Sequence, residues 1–181
     1  MTVGARLTGQ GNVGRCPGPD LLERAAARAA TDGTTFFLLG GAPDVADDLG
    51  AALAKNHPGI RIAGMVTPPF GEWAEDVCRD LVEQVVASGA DILWLGVSAP
   101  KQEAWALRWH EELGRPVVCA GAAFDFLSGH KTRAPLWMRR AGLEWLFRLG
   151  SEPGRMWRRY LVGNAVFLVD LLRFRGRQPS S

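Results

Sequence analysis

The amino-acid sequence predicts an α/β protein with a Rossmann-like parallel sheet, helices on both faces, and a C-terminal basic helical appendage. Short, nearly continuous apolar runs alternate with stretches of helical periodicity, a pattern typical of parallel strands buried on both faces. The runs end in small residues, and the sign of the charge changes late in the chain. We expect a Rossmann-like domain over residues 1–130 and a basic helical appendage over 131–181.

The strands and helices are predicted from periodicity and from turn residues. Apolar, β-favouring runs predict four strands, over residues 34–39, 60–66, 91–96 and 116–120. Helical spacing predicts helices over 43–56, 72–88 and 101–112, and in the appendage over 134–149 and 153–174. Pro43 stands where proline favours a helix start, and Gly89 stands where glycine favours a helix end.

The composition excludes several classes of protein. A chain of 181 residues that is 47% hydrophobic and 22% charged is neither disordered nor collagen-like. Three cysteines without close pairing argue against a disulfide scaffold and a Cys-x-x-Cys metal site, and they indicate a reducing compartment. Residues 1–19 lack the apolar core of a signal peptide, and no apolar run is long enough to span a bilayer.

The charge distribution predicts a partner for the appendage. Residues 1–130 carry a net charge of −6, whereas residues 131–181 carry +8. Tryptophans such as Trp137 and Trp145 alternate with arginines there, which suits the boundary between hydrocarbon and anionic head groups. A tryptophan stripe can equally belong to a protein core, and a basic tail can bind RNA. The apolar face argues against nucleic acid, so we expect an anionic membrane surface as partner.

The predicted strand ends indicate a phosphorylated ligand. Small residues follow three strands, at Gly40-Gly41, at 96–100 and at 120–123. Small residues allow backbone N–H groups to approach a phosphate, and the next helix directs its positive end to the same place. Neither the G-x-G-x-x-G nor the P-loop pattern is present, which disfavours the common dinucleotide and triphosphate sites.

Several segments together resemble one glycosyltransferase family. Gly96 to Trp105 is similar to a G-x-x-x-P-K-Q-E-x-W segment, and Phe124 to Gly129 is similar to an F-D-F-x-x-G segment. Residues 133–161 add a long matching run of tryptophans, arginines and Glu-Pro, and 37–41 and 57–64 match earlier parts. The chain resembles the WecG/TagA/CpsF glycosyltransferases, family 26, over about residues 18–172.

The resemblance implies an inverting hexosyltransferase that needs neither a metal nor another cofactor. Such enzymes move N-acetylmannosamine, or a related N-acetylhexosamine, from UDP to a prenyl-diphosphate-linked N-acetylglucosamine. The product enters teichoic acid, capsule or other cell-surface polysaccharide synthesis. The family acts at the inner face of the cell membrane, so we expect a cytoplasmic, peripheral protein whose basic segment binds the membrane. Homo-oligomerisation stays open.

The motifs carry the candidate site residues. Gln102 and Asp125 are the catalytic candidates, since an amide can bind a sugar or uracil and a carboxylate can take a proton. Without a metal, arginines must stabilise the leaving diphosphate. Glu103 has the alternative role of complementing a helix dipole, and Asp125 that of a buried cap. The expected substrate-binding residues are Gly40, Gly41, Pro100, Gln102, Glu103, Gly121, Phe124, Asp125, Arg133, Arg148 and Arg155.

The chain departs from the family pattern at a few places. Family members have a further N-terminal segment in which an Asp-Gly pair resembles the catalytic base, and the sequence in hand begins after that position. We therefore expect donor binding with slow or absent transfer, with a non-catalytic UDP-sugar-binding paralogue or a truncated form as the alternative. Ser98 and Cys119 replace usual glycines, and Pro68-Pro69-Phe70 replaces a common Gly-Tyr-Phe.

Overall fold

The computed structural model describes residues 16–141, 143–151 and 154. The chain divides into two compact units, Met1–Thr132 and Arg133–Ser181. The described elements of the first unit are α1 (Gly18–Asp32), β1 (Thr35–Gly40), α2 (Val45–Asn56), β2 (Arg61–Val66), α3 (Glu75–Ala87), β3 (Ile92–Gly96), α4 (Lys101–Leu113), β4 (Val117–Cys119) and α5 (Ala123–Leu127). Those of the second unit are α6 (Leu136–Arg140) and α7 (Glu144–Ser151).

The four described strands form one parallel sheet in the order β2-β1-β3-β4. The chain passes from β1 to β2 on one side and then returns to β3 on the other side of β1. Helices α2 and α4, which follow β1 and β3, therefore leave the sheet toward opposite faces. The structure confirms the predicted Rossmann-like α/β fold and creates a topological switch point between β1 and β3. Ligands of open α/β sheets bind in the crevice outside such a point.

The sheet is covered on both faces, which explains why its central strands are apolar throughout. On one face, α1, α2 and α5 pack over Phe36, Leu38 and Trp94. On the other face, α3 and α4 pack over the intervening residues, which include Leu39 and Leu93. All five of these side chains are at most 1% exposed. Neither face of β1 or β3 has a solvent-facing row, so the polar alternation of a half-exposed strand is missing.

Two glycines let β1 and β3 come together at their carboxyl ends. Gly40 pairs with Gly96, and the Gly41 N–H donates to the Gly96 carbonyl at 3.0 Å. A methyl group added at Gly40 would lie 2.7 Å from the Gly96 Cα, and one added at Gly96 would overlap the ring of Phe124. Gly40 also has φ +138°, a conformation that side chains disfavour. Only glycine fits either position.

Polar contacts hold the opposite edge of the sheet. The Asp91 carboxylate accepts hydrogen bonds from the Thr35 N–H and hydroxyl, both at 2.7 Å. These bonds hold the pKa of Asp91 below its ordinary value. The Arg115 guanidinium donates to the carbonyls of Leu113, Val85 and Ala90. The amino-terminal edge is therefore tied by side chains, while the carboxyl edge consists largely of backbone and small residues.

Some sequence predictions need correction. All seven predicted strands and helices of the first unit are present with shifted ends, whereas α1 and α5 were not predicted as helices. The single helix predicted over 134–149 is wrong, since α6 and α7 are separate there. The Leu143 N–H donates to the Met138 carbonyl, five residues back, which breaks the helical ladder beside Gly142, a poor helix former. The helix predicted over 153–174 lies outside the described residues except for residue 154.

The glycine contact predicts a large effect of one methyl group. Gly96→Ala should lower the free energy of unfolding by about 3 kcal/mol, because the new methyl group must displace the buried Phe124 ring. Urea denaturation measures the change. Gly150→Ala is the matched control, since no atom of the described residues lies within 4 Å of the added methyl group there. An equal effect of the two substitutions would contradict the steric argument.

Candidate functional site

The candidate site lies at the carboxyl edge of the sheet, where the loops after β1, β3 and β4 converge. The Ala120 and Gly121 N–H groups donate to the Leu95 carbonyl at 2.8 and 3.3 Å, which draws the loop after β4 toward β3. On the β1 side of β3, the Gly41 N–H donates a hydrogen bond to the Gly96 carbonyl. The structure thus brings together the three small-residue strand ends that the sequence singled out. Helices α2 and α4, of 12 and 13 residues, begin at this edge.

Gln102 is a buried polar residue of this site. It lies in the first turn of α4 with 7% of its surface exposed. Its Nε2 donates to Glu103 Oε1 at 2.8 Å, whereas its Oε1 has no donor among the described residues. The opposite amide orientation would direct a carbonyl oxygen at the Glu103 carboxylate, so the hydrogen bond determines which atom is the oxygen. A buried acceptor without a donor costs about 1–3 kcal/mol.

Gly121 borders the same amide. A methyl group added there would lie 3.4 Å from Gln102 Oε1 and 3.5 Å from the Val97 carbonyl. Gly121 has φ +40°, which also favours glycine. A side chain at this position would crowd the unpartnered oxygen. Gly121 thus brings the loop after β4 against the first turn of α4.

Glu103 has two neighbours with different consequences. It accepts the hydrogen bond of Gln102 and occupies the first turn of α4, where a carboxylate complements the helix dipole. Glu103 therefore complements the helix dipole, which was the alternative role, and it also contacts Gln102 at the candidate site. Its charge also acts on Cys119 at the end of β4. Burial, and then the Glu103 charge, raise the pKa of the Cys119 thiol.

Lys101 connects the start of α4 to the loop between β2 and α3, residues 67–74. Its Nζ donates to the Gly71 carbonyl and lies 3.5 Å from the centre of the Trp73 ring. Burial lowers the pKa of Lys101, with Glu72 and Cys78 acting in the opposite direction. Sequence reasoning did not select Lys101 as a site residue. The motif contained it, but its partners lie 30 residues upstream and no local pattern indicates them.

Phe124 and Asp125 open α5 with opposite environments. Phe124 is fully buried, and its ring lies against Gly96 beneath the site. The Asp125 carboxylate pairs with Lys131 Nζ at 2.8 Å, and 24% of the Asp125 side chain is exposed. The Lys131 N–H also donates to the Asp125 carbonyl at 2.9 Å. Asp125 is therefore a paired carboxylate, and Phe124 supports the site from within the core.

The remaining predicted residues divide by their place in the chain. Pro100 is the residue before α4 and is exposed. Arg133 belongs to the second unit and is half-buried. Arg148 lies in α7, but its side chain is outside the described part, and Arg155 lies outside the described residues altogether. Gly40, Gly41, Pro100, Gln102, Glu103 and Gly121 thus share the carboxyl edge of the first unit.

Neither a metal cluster nor a membrane-spanning helix occurs in the described part of the chain. Over the described residues, no group of three or more His, Cys, Asp or Glu side chains is arranged to hold a metal ion. His57 and His130 pair instead with Glu23 and Asp48 at 2.8 and 2.7 Å. Within the same described part of the chain, no helix has the length and apolar character needed to cross a membrane.

The Cys119 environment predicts a pH effect. A thiolate is the nucleophile in alkylation, and the Glu103 charge disfavours it. Glu103→Gln should therefore lower the Cys119 pKa, move its alkylation profile to lower pH, and speed the reaction at neutral pH. Peptide mass spectrometry after iodoacetamide treatment measures this, with Glu111→Gln as the control. An unchanged profile in Glu103→Gln would show that burial alone sets the pKa.

The family comparison agrees with the resemblance that the sequence motifs indicate. A family model described as "Glycosyl transferase WecG/TagA/CpsF family" matches residues 1–181, the whole of the chain. The segments that predicted the family from sequence, at 96–105 and 124–129, are those that form the carboxyl edge and the buried support beneath it. The chain belongs to the WecG/TagA/CpsF glycosyltransferase family.

Proposed function

We propose that the protein is an inverting glycosyltransferase that moves an N-acetylhexosamine from UDP to a prenyl-diphosphate-linked N-acetylglucosamine, with N-acetylmannosamine as the expected sugar. Family membership supports transfer from a nucleotide sugar. The observation that carries the site is the Gln102 Oε1, which has no donor among the described residues and lies beside Gly121 at the carboxyl edge of the sheet. An N–H or O–H group of the donor, such as the uracil imide or the acetamido group, would satisfy it.

The diphosphate of the donor would lie outside the ends of β1 and β3. Gly40 and Gly41 have no side chains to separate the ligand from the backbone there. The N-terminus of α4 adds partial positive charge at the same edge, which favours an anion, whereas Asp44, Asp47 and Asp48 offset that of α2. We propose Arg133, Arg148 and Arg155 as further diphosphate ligands, since arginine pairs with phosphate through parallel hydrogen bonds.

The reaction requires a proton acceptor. The acceptor hydroxyl would attack the anomeric carbon, the bond from that carbon to the UDP oxygen would break, and the hydroxyl proton would pass to a base. An amide such as Gln102 is not a base at neutral pH, so Gln102 serves binding and orientation. Asp125 is the candidate carboxylate of the described chain, although it must then act while paired with Lys131.

That ion pair also favours a second candidate, a UDP-sugar-binding protein that does not transfer the sugar. The Asp125 carboxylate is already engaged by the Lys131 ammonium group at 2.8 Å, so an acceptor hydroxyl would have to compete with Lys131 for it. The second candidate predicts donor binding without product. For either candidate, we propose that the protein acts at the cytoplasmic face of the cell membrane, with the basic segment on anionic lipid.

The Gln102 amide predicts opposite effects on stability and on binding. Gln102→Leu removes the unsatisfied oxygen, so the free energy of unfolding should stay equal or rise by about 1 kcal/mol. The affinity for UDP should fall roughly tenfold or more, because the donor loses its hydrogen bond. Urea denaturation and calorimetric titration measure the two. Gln84→Leu, at an exposed position of α3, is the control. Unchanged affinity in Gln102→Leu would refute the assigned site.

A transfer assay decides between the two candidates. The full chain is incubated with labelled UDP-N-acetylmannosamine, a short-prenyl diphosphate-linked N-acetylglucosamine and EDTA. Product is expected for a metal-independent transferase, and Asp125→Asn should then lower kcat at least about a hundredfold while UDP affinity changes little. UDP binding without product supports the binding protein. A chain that binds neither UDP nor the sugar nucleotide would contradict both candidates.

A further inference from the structure

The loop at 67–74 has an exposed tip. Residues 69–72 are exposed, and Phe70 is completely so. Within the loop, Trp73 Nε1 donates to the Pro69 carbonyl at 2.8 Å. The tip itself therefore has little burial to hold it. A loop of this kind keeps one conformation only if specific contacts tie it to a rigid element.

Helix α4 supplies those contacts from two residues one turn apart. Lys101 Nζ donates to the Gly71 carbonyl and lies over the Trp73 ring. Trp105, four residues further, meets the same ring edge-on, with ring centres 6.1 Å apart at 85°. Residues four apart project from the same side of a helix. Trp73 is thus held by Lys101 and by Trp105.

The sheet order makes this contact cross the candidate site. The loop follows β2, and α4 follows β3, and β1 lies between these two strands. A contact from the loop to the start of α4 must therefore pass the carboxyl end of β1, where Gly40 and Gly41 lie. Gln102 is the next residue after Lys101.

We propose that the loop forms one wall of the crevice beside the switch point, that Lys101 is a positioning residue that fixes this wall, and that Lys101 does not bind the donor's diphosphate. Its ammonium group is directed at a carbonyl and an aromatic face, two partners that stabilise a cation without a phosphate. Lys101 would then act on ligand affinity through Trp73 and the loop. The inference rests on the proposed function only in that the ligand is taken to be a uridine nucleotide.

The test separates a wall from a phosphate ligand by comparing two probes. Uridine and UDP share the nucleoside, and only UDP has the diphosphate. Lys101→Met should weaken both by the same factor, about three- to thirtyfold, which corresponds to the range of a cation–π contact. Lys101→Arg should restore most of the affinity, because a guanidinium also stacks on indole and donates to a carbonyl. Arg108→Met is the matched control, since Arg108 lies over Trp109 on the same helix at 4.7 Å.

A double-mutant cycle adds a second criterion. Trp73→Leu should weaken uridine and UDP as Lys101→Met does, and the double variant should be no worse than the weaker single variant, because both act through one wall. A loss confined to UDP would make Lys101 a phosphate ligand. Additive losses in the double variant would show that Lys101 acts independently of Trp73. Either result would overturn the proposal. Unchanged affinities in Lys101→Met would overturn it as well.

Hydrogen exchange tests, without any ligand, whether Lys101 holds the loop at 67–74. The Trp73 indole N–H, which is hydrogen-bonded to the Pro69 carbonyl, should exchange faster in Lys101→Met than in the wild type or in Arg108→Met, while the amides of β1 and β3 stay protected. Equal exchange in all three proteins would show that Lys101 does not hold the loop. If the wild type binds neither uridine nor UDP, the proposed function fails, while this measurement still decides whether Lys101 holds the loop.

Discussion

The contact between Gly40 and Gly96 is the constraint on which the carboxyl edge of the sheet depends. Because neither residue has a side chain, β1 and β3 pair to their last residues, and the Gly41 N–H can reach the Gly96 carbonyl. The Phe124 ring fills the space that a side chain at Gly96 would take. One packing arrangement therefore places the loops after three strands around a single crevice, and the helices that leave β1 and β3 begin there.

The polar part of the site costs stability, which is the usual sign of a group retained for binding. Gln102 keeps a buried oxygen without a donor from the described residues, while its nitrogen is fixed by Glu103. A hydrophobic residue of similar size would avoid that cost. Gly121 lies next to the oxygen, and a methyl group there would be in contact with it at 3.4 Å. Under the proposed function, the amide is oriented in advance for a hydrogen-bond donor of the ligand, and its direction is set by the exposed Glu103 carboxylate.

The family motifs contain residues with distinct physical tasks. In the segment 96–105, Gly96 permits strand contact, Lys101 holds a distant loop, Gln102 presents an acceptor, and Trp105 packs against Trp73. In the segment that follows β4, Phe124 is core and Asp125 is an ion-paired carboxylate. A motif therefore identifies the family more directly than it identifies the residues that touch substrate.

The sequence by itself determined the fold class, the family, and the alternation of strands and helices, because apolar periodicity and turn residues are local properties of the chain. It also indicated the three strand ends that form the site. Only the tertiary structure decided that β1 lies between β2 and β3, that Phe124 lies against Gly96, and that Lys101 reaches Gly71. The separation of α6 from α7 was likewise missed. Contacts between residues far apart in the chain depend on how the elements pack, and a local sequence pattern does not specify that packing.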